Sequence, residues 1–370
     1  MANVSLLGVN KWYGDFHAVN DLNLTIHDRE FMVILGPSGS GKTTALRMVA
    51  GLEMLDSGEI RIGDRRVDPL PPKDRDIAMV FQNYALFAHM TVAENIGFGL
   101  RMAKSPEAEV KRRVLEVAEL LGLEQWLSAR PRHLSGGMQQ RVALGRAIAR
   151  NASLYLMDEP LSNLDALLRV KTRTEIIKLA RSLQTTVVYV THDQTEAMTM
   201  AHRIAIMKDG ALQQVGAPLD VYRNPGNRFV AGFIGMPQMN FVEGSRLRRD
   251  GDQLSVDTPE FSIPLDRRRV APSDMGDEVV LGVRPEHVRL ANSGMTPTAE
   301  ATVDVVEPLG AQTLVYLRAG SMPLSMLVDG HIELVPGVLV QLTIRQDSIH
   351  LFHPHTGSAV LTQTSEEAVK

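Results

Sequence analysis

An apolar strand that runs directly into a glycine-rich loop constrains this chain more than any other feature. Five apolar residues, Phe31 to Leu35, are followed by Gly-Pro-Ser-Gly-Ser-Gly-Lys-Thr at residues 36–43. The loop satisfies G-x-x-x-x-G-K-[ST] in the strand-then-helix context that this motif requires. Its glycines let the backbone curl, so that successive N–H groups and the next helix N-terminus point at phosphate oxygens. The pattern predicts a nucleotide-phosphate site on an α/β fold.

The loop predicts a role for each of its members. The residues expected to bind the nucleotide here are Gly36, Ser38, Gly39, Ser40, Gly41, Lys42, Thr43 and Thr44. The Lys42 ammonium is expected to neutralise the β and γ phosphates, and the Thr43 hydroxyl to ligate Mg²⁺. The alternative is a glycine-rich loop with an incidental lysine, which the preceding strand disfavours.

A second apolar run, residues 154–157, ends in two adjacent carboxylates, Asp158 and Glu159. An unpaired buried charge costs several kcal/mol, on the order of 3–5, so carboxylates at the end of a buried strand need partners. Asp158 facing Mg²⁺ and Glu159 facing an attacking water would supply them. Either residue could instead be a satisfied structural carboxylate.

Composition excludes several classes of protein. The chain has 370 residues, which predicts two or three domains, and its net charge of −4 argues against an electrostatic nucleic-acid binder. It has no cysteine, which excludes disulfides, thiolate zinc sites and cysteine nucleophiles. No apolar run approaches ~18 residues, so any membrane role is expected to act through a partner. The N-terminal residues do not resemble a signal peptide, and we expect a cytoplasmic protein.

A change in the hydrophobic pattern along the sequence predicts two domains. Short β-branched runs alternate with helical periodicity up to residue 235, which predicts an α/β domain over 1–235 with a central, mostly parallel sheet. Apolar residues at helical spacing between Lys104 and Leu123 predict an amphipathic helix, part of an inserted helical subdomain at about 84–150. From 236 to 370, short strand-like pieces separated by Gly, Asp and Pro predict a small all-β domain.

The segment Leu-Ser-Gly-Gly-Met-Gln-Gln-Arg at residues 134–141 resembles the signature motif of ABC ATPases. Ser135, Gly136 and Gly137 would form a second anion site at a helix N-terminus. The resemblance implies a homodimer in which each nucleotide lies between the phosphate loop of one protomer and the signature loop of the other. Met138 departs from the more usual Gln, and a mere helix cap is the alternative.

Further segments follow the order of that family. Gln82 resembles the glutamine-loop residue that senses Mg²⁺ or water, Asp165 lies in a segment like the D-loop, and His192 resembles the switch histidine that holds the γ-phosphate. The resemblance implies Glu159 as general base, with His192, Gln82 and Lys42 completing the catalytic set. Asp158, Thr43 and Gln82 are the implied Mg²⁺ residues. Tyr13 is expected to stack on adenine, with Trp12 as the competing candidate.

The resemblance extends over nearly the whole chain and favours the ATPases of carbohydrate and glycerol-phosphate importers. It rests on residues 72–96, on 229–235 and on Gly-Val-Arg-Pro-Glu-His at 282–287. It implies an OB-like regulatory module at the C-terminus, ATP and Mg²⁺ as ligands, and a position on the cytoplasmic face of the membrane. The implied partners are two permeases and, indirectly, an external solute-binding protein, with no nucleic acid.

Other functions remain open from the sequence. The solute could be a glycerol phosphate, polyamine, iron, oxyanion or compatible solute instead of a sugar. Soluble ABC ATPases of DNA repair or translation are disfavoured, because they carry long coiled-coil or zinc-bearing insertions or two cassettes in one chain. A regulator without catalysis is expected to lack Glu159 or His192, and both are present.

Overall fold

The structure is a computed structural model that describes residues 3–250, 253–266, 277–291 and 296–360. The chain divides into two compact units, Met1–Leu219 and Asp220–Lys370. No helix within the described ranges is both long enough and apolar enough to cross a membrane.

The first unit contains two sheets. Its strands are β1 (Val4–Tyr13), β2 (Phe16–Ile26), β3 (Phe31–Leu35), β4 (Ser57–Ile62), β5 (Arg65–Arg66), β6 (Ile77–Val80), β7 (Leu154–Asp158), β8 (Thr186–Thr191), β9 (Arg203–Lys208) and β10 (Ala211–Gly216). Six of them form the central sheet in the order β10-β9-β3-β8-β7-β6, parallel except for the β9–β10 pair. The other four form an antiparallel sheet, β2-β1-β4-β5, which the sequence analysis did not separate.

Burial explains why these segments form a parallel sheet. Every residue of β3, β7 and β8 is buried, as expected for strands covered on both faces. Because the strands are parallel, the carboxyl ends of β3, β7 and β8 lie along one edge of the sheet. That edge carries the phosphate loop, the two adjacent carboxylates and the switch-histidine segment.

The described helices include the three that the sequence predicts, one after the phosphate loop, one between Lys104 and Leu123 and one after the signature segment. They are α1 (Lys42–Ala50), α2 (Val92–Met102), α3 (Glu107–Leu121), α4 (Gly136–Ile148), α5 (Ala166–Leu183), α6 (Gln194–Met200), α7 (Pro218–Arg223) and α8 (Arg228–Phe233). Helix α3 buries the predicted apolar stripe, which consists of Val110, Val114, Val117, Ala118 and Leu121. Helices α2, α3 and α4 pack on one another within the segment predicted as a helical subdomain.

The second unit is built on two antiparallel five-stranded sheets that share a core. Its strands are β11 (Asn240–Asp250), β12 (Gln253–Asp257), β13 (Ser262–Leu265), β14 (Glu278–Val283), β15 (Val288–Leu290), β16 (Ala299–Pro308), β17 (Gln312–Ala319), β18 (Met322–Asp329), β19 (Leu339–Ile344) and β20 (Ile349–Phe352). The sheet orders are β13-β12-β11-β14-β20 and β15-β19-β16-β17-β18. Apolar side chains from both sheets form one core, which confirms the predicted all-β class.

The compact units divide earlier than the predicted boundary at 235/236. Helix α8 packs with the second unit, since Ala231 lies in an apolar cluster with Met239, Val280 and Phe352. The buried Arg284 also donates to the Ile234 carbonyl oxygen at 2.8 Å. Residues 220–235 therefore fold with the β-rich unit, because long-range contacts that the local pattern does not reveal hold them there.

Candidate active site

The phosphate loop connects β3 to α1 and is held in shape by its own side chains. Lys42 is buried, and its Nζ donates to the Pro37 carbonyl oxygen at 2.8 Å and lies 3.4 Å from Ser40 Oγ. Gly41 has a φ of 92°, and a Cβ there would lie 2.2 Å from the Ala18 carbonyl oxygen. Only glycine fits this close approach, so the curled loop depends on that residue.

Two buried charged groups, Lys42 and Asp158, belong to the start of α1 and the end of β7. Thr43 Oγ1 donates to Asp158 Oδ1 at 2.9 Å, which joins the start of α1 to the end of β7. Burial raises the pKa of Asp158, and the hydrogen bond from Thr43 partly opposes that shift. Burial lowers the pKa of Lys42, opposed by the negative charges of Glu159 and Asp158. A bound cation would stabilise the charged form of Asp158, and a bound phosphate would stabilise the charged form of Lys42. The predicted ligands, Mg²⁺ and ATP, supply these two groups.

Glu159 is the apex of a polar triangle whose other two corners are His192 and Gln82. Its Oε2 is 3.1 Å from His192 Nδ1 and 3.5 Å from Gln82 Nε2. The Glu159 backbone has a φ of 43°, in the left-handed region, and its N–H donates to the Val190 carbonyl oxygen at 3.0 Å. Strained non-glycine residues of this kind cluster at active sites. The structure therefore brings together three of the predicted catalytic residues.

An open cavity of about 370 Å³ is lined by the phosphate loop together with Gln82 and Glu159. Its walls include Tyr13, residues 38–44, Gln82 and Glu159, together with Phe16 and Ala18. Among the residues that the structure describes, Ser135, Gly136, Gly137 and Asp165 do not line it. Gly36, at the start of the loop, and the neighbouring Asp158 and His192 also lie outside its lining. The predicted nucleotide-binding residues thus fall into two groups on one chain.

The second group occupies two helix N-termini. Ser135 is the N-cap of α4, where its Oγ accepts from the Met138 N–H at 3.4 Å, and Asp165 is the N-cap of α5, where it accepts from the Leu168 N–H at 2.9 Å. Gln139 Nε2 donates to the Pro131 and Leu134 carbonyl oxygens, which ties the loop to its helix. Capping explains the local conformation, and the roles of both residues toward nucleotide stay predictions.

Comparison with known proteins identifies the family. A model described as "ABC transporter" matches residues 19–162. The chain is 47% identical to the oligosaccharides import ATP-binding protein MsmX of Bacillus subtilis, over 96% of this chain and 99% of the relative. It is 49% identical to the trehalose/maltose import ATP-binding protein MalK of Thermococcus litoralis, over 97% of this chain and the whole of the relative. The chain belongs to the ABC transporter ATP-binding subunits.

Further matches cover both units of this ABC subunit. A TOBE domain model matches residues 281–352 and a MalK OB fold domain model matches 235–288, which confirms the predicted OB-like module. The osmoprotective compounds uptake protein GgtA of Synechocystis is 54% identical, over 86% of this chain and 88% of its own. The dimeric cassette MJ0796 in a post-hydrolysis state with ADP and phosphate matches with a TM-score of 0.53 and 34% identity, over 58% of this chain and 98% of that one. The subunit therefore binds and hydrolyses ATP, as predicted.

The contacts of several residues at the site of this ABC subunit were not predicted from the sequence. Ser162 Oγ lies 3.3 Å from Gln82 Nε2, and Asn163 Nδ2 donates to the Gln82 carbonyl oxygen at 2.9 Å. Arg169 donates to the Leu164 carbonyl oxygen at 3.1 Å and pairs with Asp193 at 3.6 Å. Ser162 and Asn163 stand in the segment compared with the D-loop, and that position was their only sequence signal.

A buried carboxylate fixes the turn that carries His192. Glu196 Oε2 accepts from Tyr189 Oη at 2.9 Å and from Thr191 Oγ1 at 2.7 Å, and Thr191 Oγ1 accepts from the Asp193 N–H at 3.0 Å. The two residues that flank His192 are thereby held by Glu196. Burial raises the pKa of Glu196, and the two hydroxyl donors oppose that shift.

Proposed function

We propose that this subunit is the motor of an ABC importer that takes up a sugar or sugar derivative through separate permease subunits. The observation that carries this proposal is the Glu159–His192–Gln82 triangle beside the phosphate loop, in a chain 47–49% identical to two sugar-import ATP-binding proteins over nearly its whole length. The subunit would lie on the cytoplasmic face of the membrane, bound to the permeases.

In the catalytic step, Glu159 accepts the proton of, or orients, the water that attacks the γ-phosphate. His192, 3.1 Å from the Glu159 carboxylate, holds that carboxylate in place and contacts the γ-phosphate. Lys42 stabilises negative charge on the β and γ phosphates. Gln82 reports the state of the site through its contacts with Glu159 and Ser162. The Tyr13 ring stacks on the adenine ring.

Thr43 and Asp158 fit a Mg²⁺ ion. Both supply hard oxygen ligands, and they lie within 2.9 Å of each other beside the buried Lys42. Gln82 lines the same cavity as Thr43 and would add an amide oxygen to this set. When bound with ATP, the ion neutralises charge on the phosphate oxygens.

A complete site is formed by two copies of the chain. Ser135, Gly136 and Gly137 form a helix N-terminus that does not line the cavity of their own chain, and the N-cap Asp165 does not line it either. A symmetric dimer lets each copy complete the other, with two ATP molecules at the interface. The dimeric state of MJ0796, bound to ADP and phosphate, supports this arrangement.

Mixing two inactive variants tests the shared site. Lys42→Ala removes the phosphate-loop charge and Ser135→Arg blocks the signature loop, so each variant alone is expected to be inactive. Mixed dimers carry one intact site, and a one-to-one mixture should recover about a quarter of wild-type turnover if the two sites act independently. A mixture as inactive as its parents under conditions where subunits exchange would contradict composite sites.

Isolation from native membranes tests the transport role. The tagged subunit, captured from detergent-solubilised membranes with ATP present, should retain two multi-spanning permeases, whose external binding protein identifies the solute. The relationship to GgtA favours an osmoprotective compound as the second candidate for that solute. Capture of ribosomal proteins or nucleic acid without permeases would refute the importer role and leave the ATPase site intact.

A further inference from the structure

A buried lysine ties the end of β1 to the end of α1. Lys11 is only 8% exposed, and its Nζ lies 2.9 Å from Glu53 Oε1 and 3.7 Å from Asp56 Oδ1. Both carboxylates belong to the segment that follows α1, the helix that starts in the phosphate loop. A buried ammonium group requires such partners, because desolvation otherwise penalises the charged form. The pair is mutually stabilising: Glu53 raises the pKa of Lys11, and Lys11 lowers the pKa of Glu53.

Lys11 also lies over the ring of Tyr13. Its Nζ is 5.2 Å from the ring centroid, within the range of a cation–π contact. Burial raises the pKa of the Tyr13 hydroxyl, hydrogen bonding to Glu53 adds to that shift, and hydrogen bonding to Thr44 opposes it. Groups from β1, from α1 and from the segment after α1 therefore hold this ring. Tyr13 nevertheless remains 47% exposed, and it lines the phosphate-loop cavity.

Trp12 already has a stacking partner. Its ring lies 3.7 Å from that of His17, with an interplanar angle of 9°, and His17 Nε2 is 3.0 Å from Asn10 Oδ1. The Trp12 backbone N–H is held by Asp56 Oδ2 at 2.6 Å. Of the two aromatic residues considered for the base, Tyr13 is therefore the one whose position depends on Lys11 and Glu53.

We propose that Lys11, acting with Glu53, is a positioning residue that fixes the Tyr13 ring at a set place relative to the phosphate loop. This inference rests on the proposed function, in which Tyr13 stacks on adenine. A ring that is already ordered loses less conformational freedom on binding, which strengthens affinity for the base. Lys11 does not line the phosphate-loop cavity, so its effect falls on nucleotide affinity and not on the hydrolytic step.

The test compares ATP with inorganic triphosphate, which has no base. Lys11→Met keeps an unbranched stem and removes the charge. It should raise KM for ATP by about three- to tenfold, with kcat within about twofold of wild type and triphosphate affinity unchanged. Glu53→Gln should give the same pattern, and Lys11→Arg should restore most of the affinity. Lys111→Met, at an exposed position on α3, is the matched control and should leave both constants unchanged.

Contrary outcomes separate this inference from the proposed function. An unchanged KM in Lys11→Met, or equal losses of ATP and triphosphate affinity, would overturn the positioning role, because the lysine would then be dispensable or would hold the phosphate loop itself. Tyr13→Leu tests the stacking role independently. If Tyr13→Leu raises KM while Lys11→Met does not, stacking stands and the role of Lys11 fails. If neither changes KM, both fail.

Discussion

Replacing Glu159 with Gln isolates the chemistry of the proposed general base. Gln has nearly the same volume, and its amide oxygen can still accept from His192 Nδ1, which lies 3.1 Å from the carboxylate. The backbone φ of 43° is equally unfavourable for Glu and Gln, and the backbone hydrogen bond from residue 159 to the Val190 carbonyl oxygen is retained. The substitution therefore removes negative charge and basicity while it leaves the shape of the site in place.

The expected loss follows from those contacts. A general base or one preorganised stabilising group is worth about 100- to 1000-fold in rate, or roughly 2.7–4 kcal/mol of barrier. The loss of a carboxylate that repels the triphosphate favours nucleotide binding. Glu159 also opposes the lowering of the Lys42 pKa, and that support is lost in the variant. We expect these two effects to offset each other to within about threefold in Kd.

The assay is phosphate release by the purified subunit at saturating ATP, with nucleotide binding measured separately by titration calorimetry. Glu116→Gln is the matched control, since that carboxylate lies on the exposed side of α3 and forms ion pairs with Arg112 and Arg113 of the same helix. It should retain wild-type turnover. A Glu159→Gln protein that keeps more than about a tenth of wild-type turnover would refute the assigned role.

Three further substitutions test the surrounding structure. Burial raises the pKa of Glu196 above its ordinary 4.5, so the folded state binds this proton more tightly and wild-type stability falls as pH rises through the folded pKa. Glu196→Gln should therefore raise Tm relative to wild type near pH 8 more than near pH 4, and a pH-independent difference would contradict the argument. Gly41→Ala places a Cβ 2.2 Å from the Ala18 carbonyl oxygen at a φ of 92°, and should cost at least about 2 kcal/mol and abolish ATP binding by calorimetry. Arg284→Lys removes the two guanidinium N–H groups that donate to the Ile234 and Tyr222 carbonyl oxygens, and it should lower the free energy of unfolding in urea by about 3 kcal/mol. An unchanged urea midpoint would show that this pair of hydrogen bonds is dispensable.

Local pattern predicted most of the fold. The apolar runs at β3, β7 and β8 are recognisable because every residue of these strands is buried, and the stripe on α3 is recognisable because its buried residues repeat at helical spacing. The antiparallel sheet β2-β1-β4-β5 was not separated from the central sheet, since strand pairing depends on partners distant in sequence. The same reason explains residues 220–235, which pack with the second unit through Arg284 and the cluster around Ala231.

At the candidate site too, short motifs could be predicted from the sequence and contacts between distant segments could not. Lys42, Thr43, Asp158 and Glu159 stand out because short motifs place them next to strands that end at one edge of the sheet. Glu53 gives no comparable signal. It lies in an ordinary segment after α1, and its connection to Tyr13 through Lys11 appears only when β1 and α1 are packed together.

The sequence by itself determined the nucleotide chemistry, the family and the two domain classes. Each of these depends on residue types at fixed short spacing, and a chain carries such spacings whether or not it is folded. Tertiary structure alone decided which groups contact one another: Glu159 with His192 and Gln82, Lys11 with Glu53, and Arg284 with the Ile234 carbonyl oxygen. Those pairs join segments 40 or more residues apart in most cases, and side chains so far apart along the chain meet only when burial of the two cores brings their segments together.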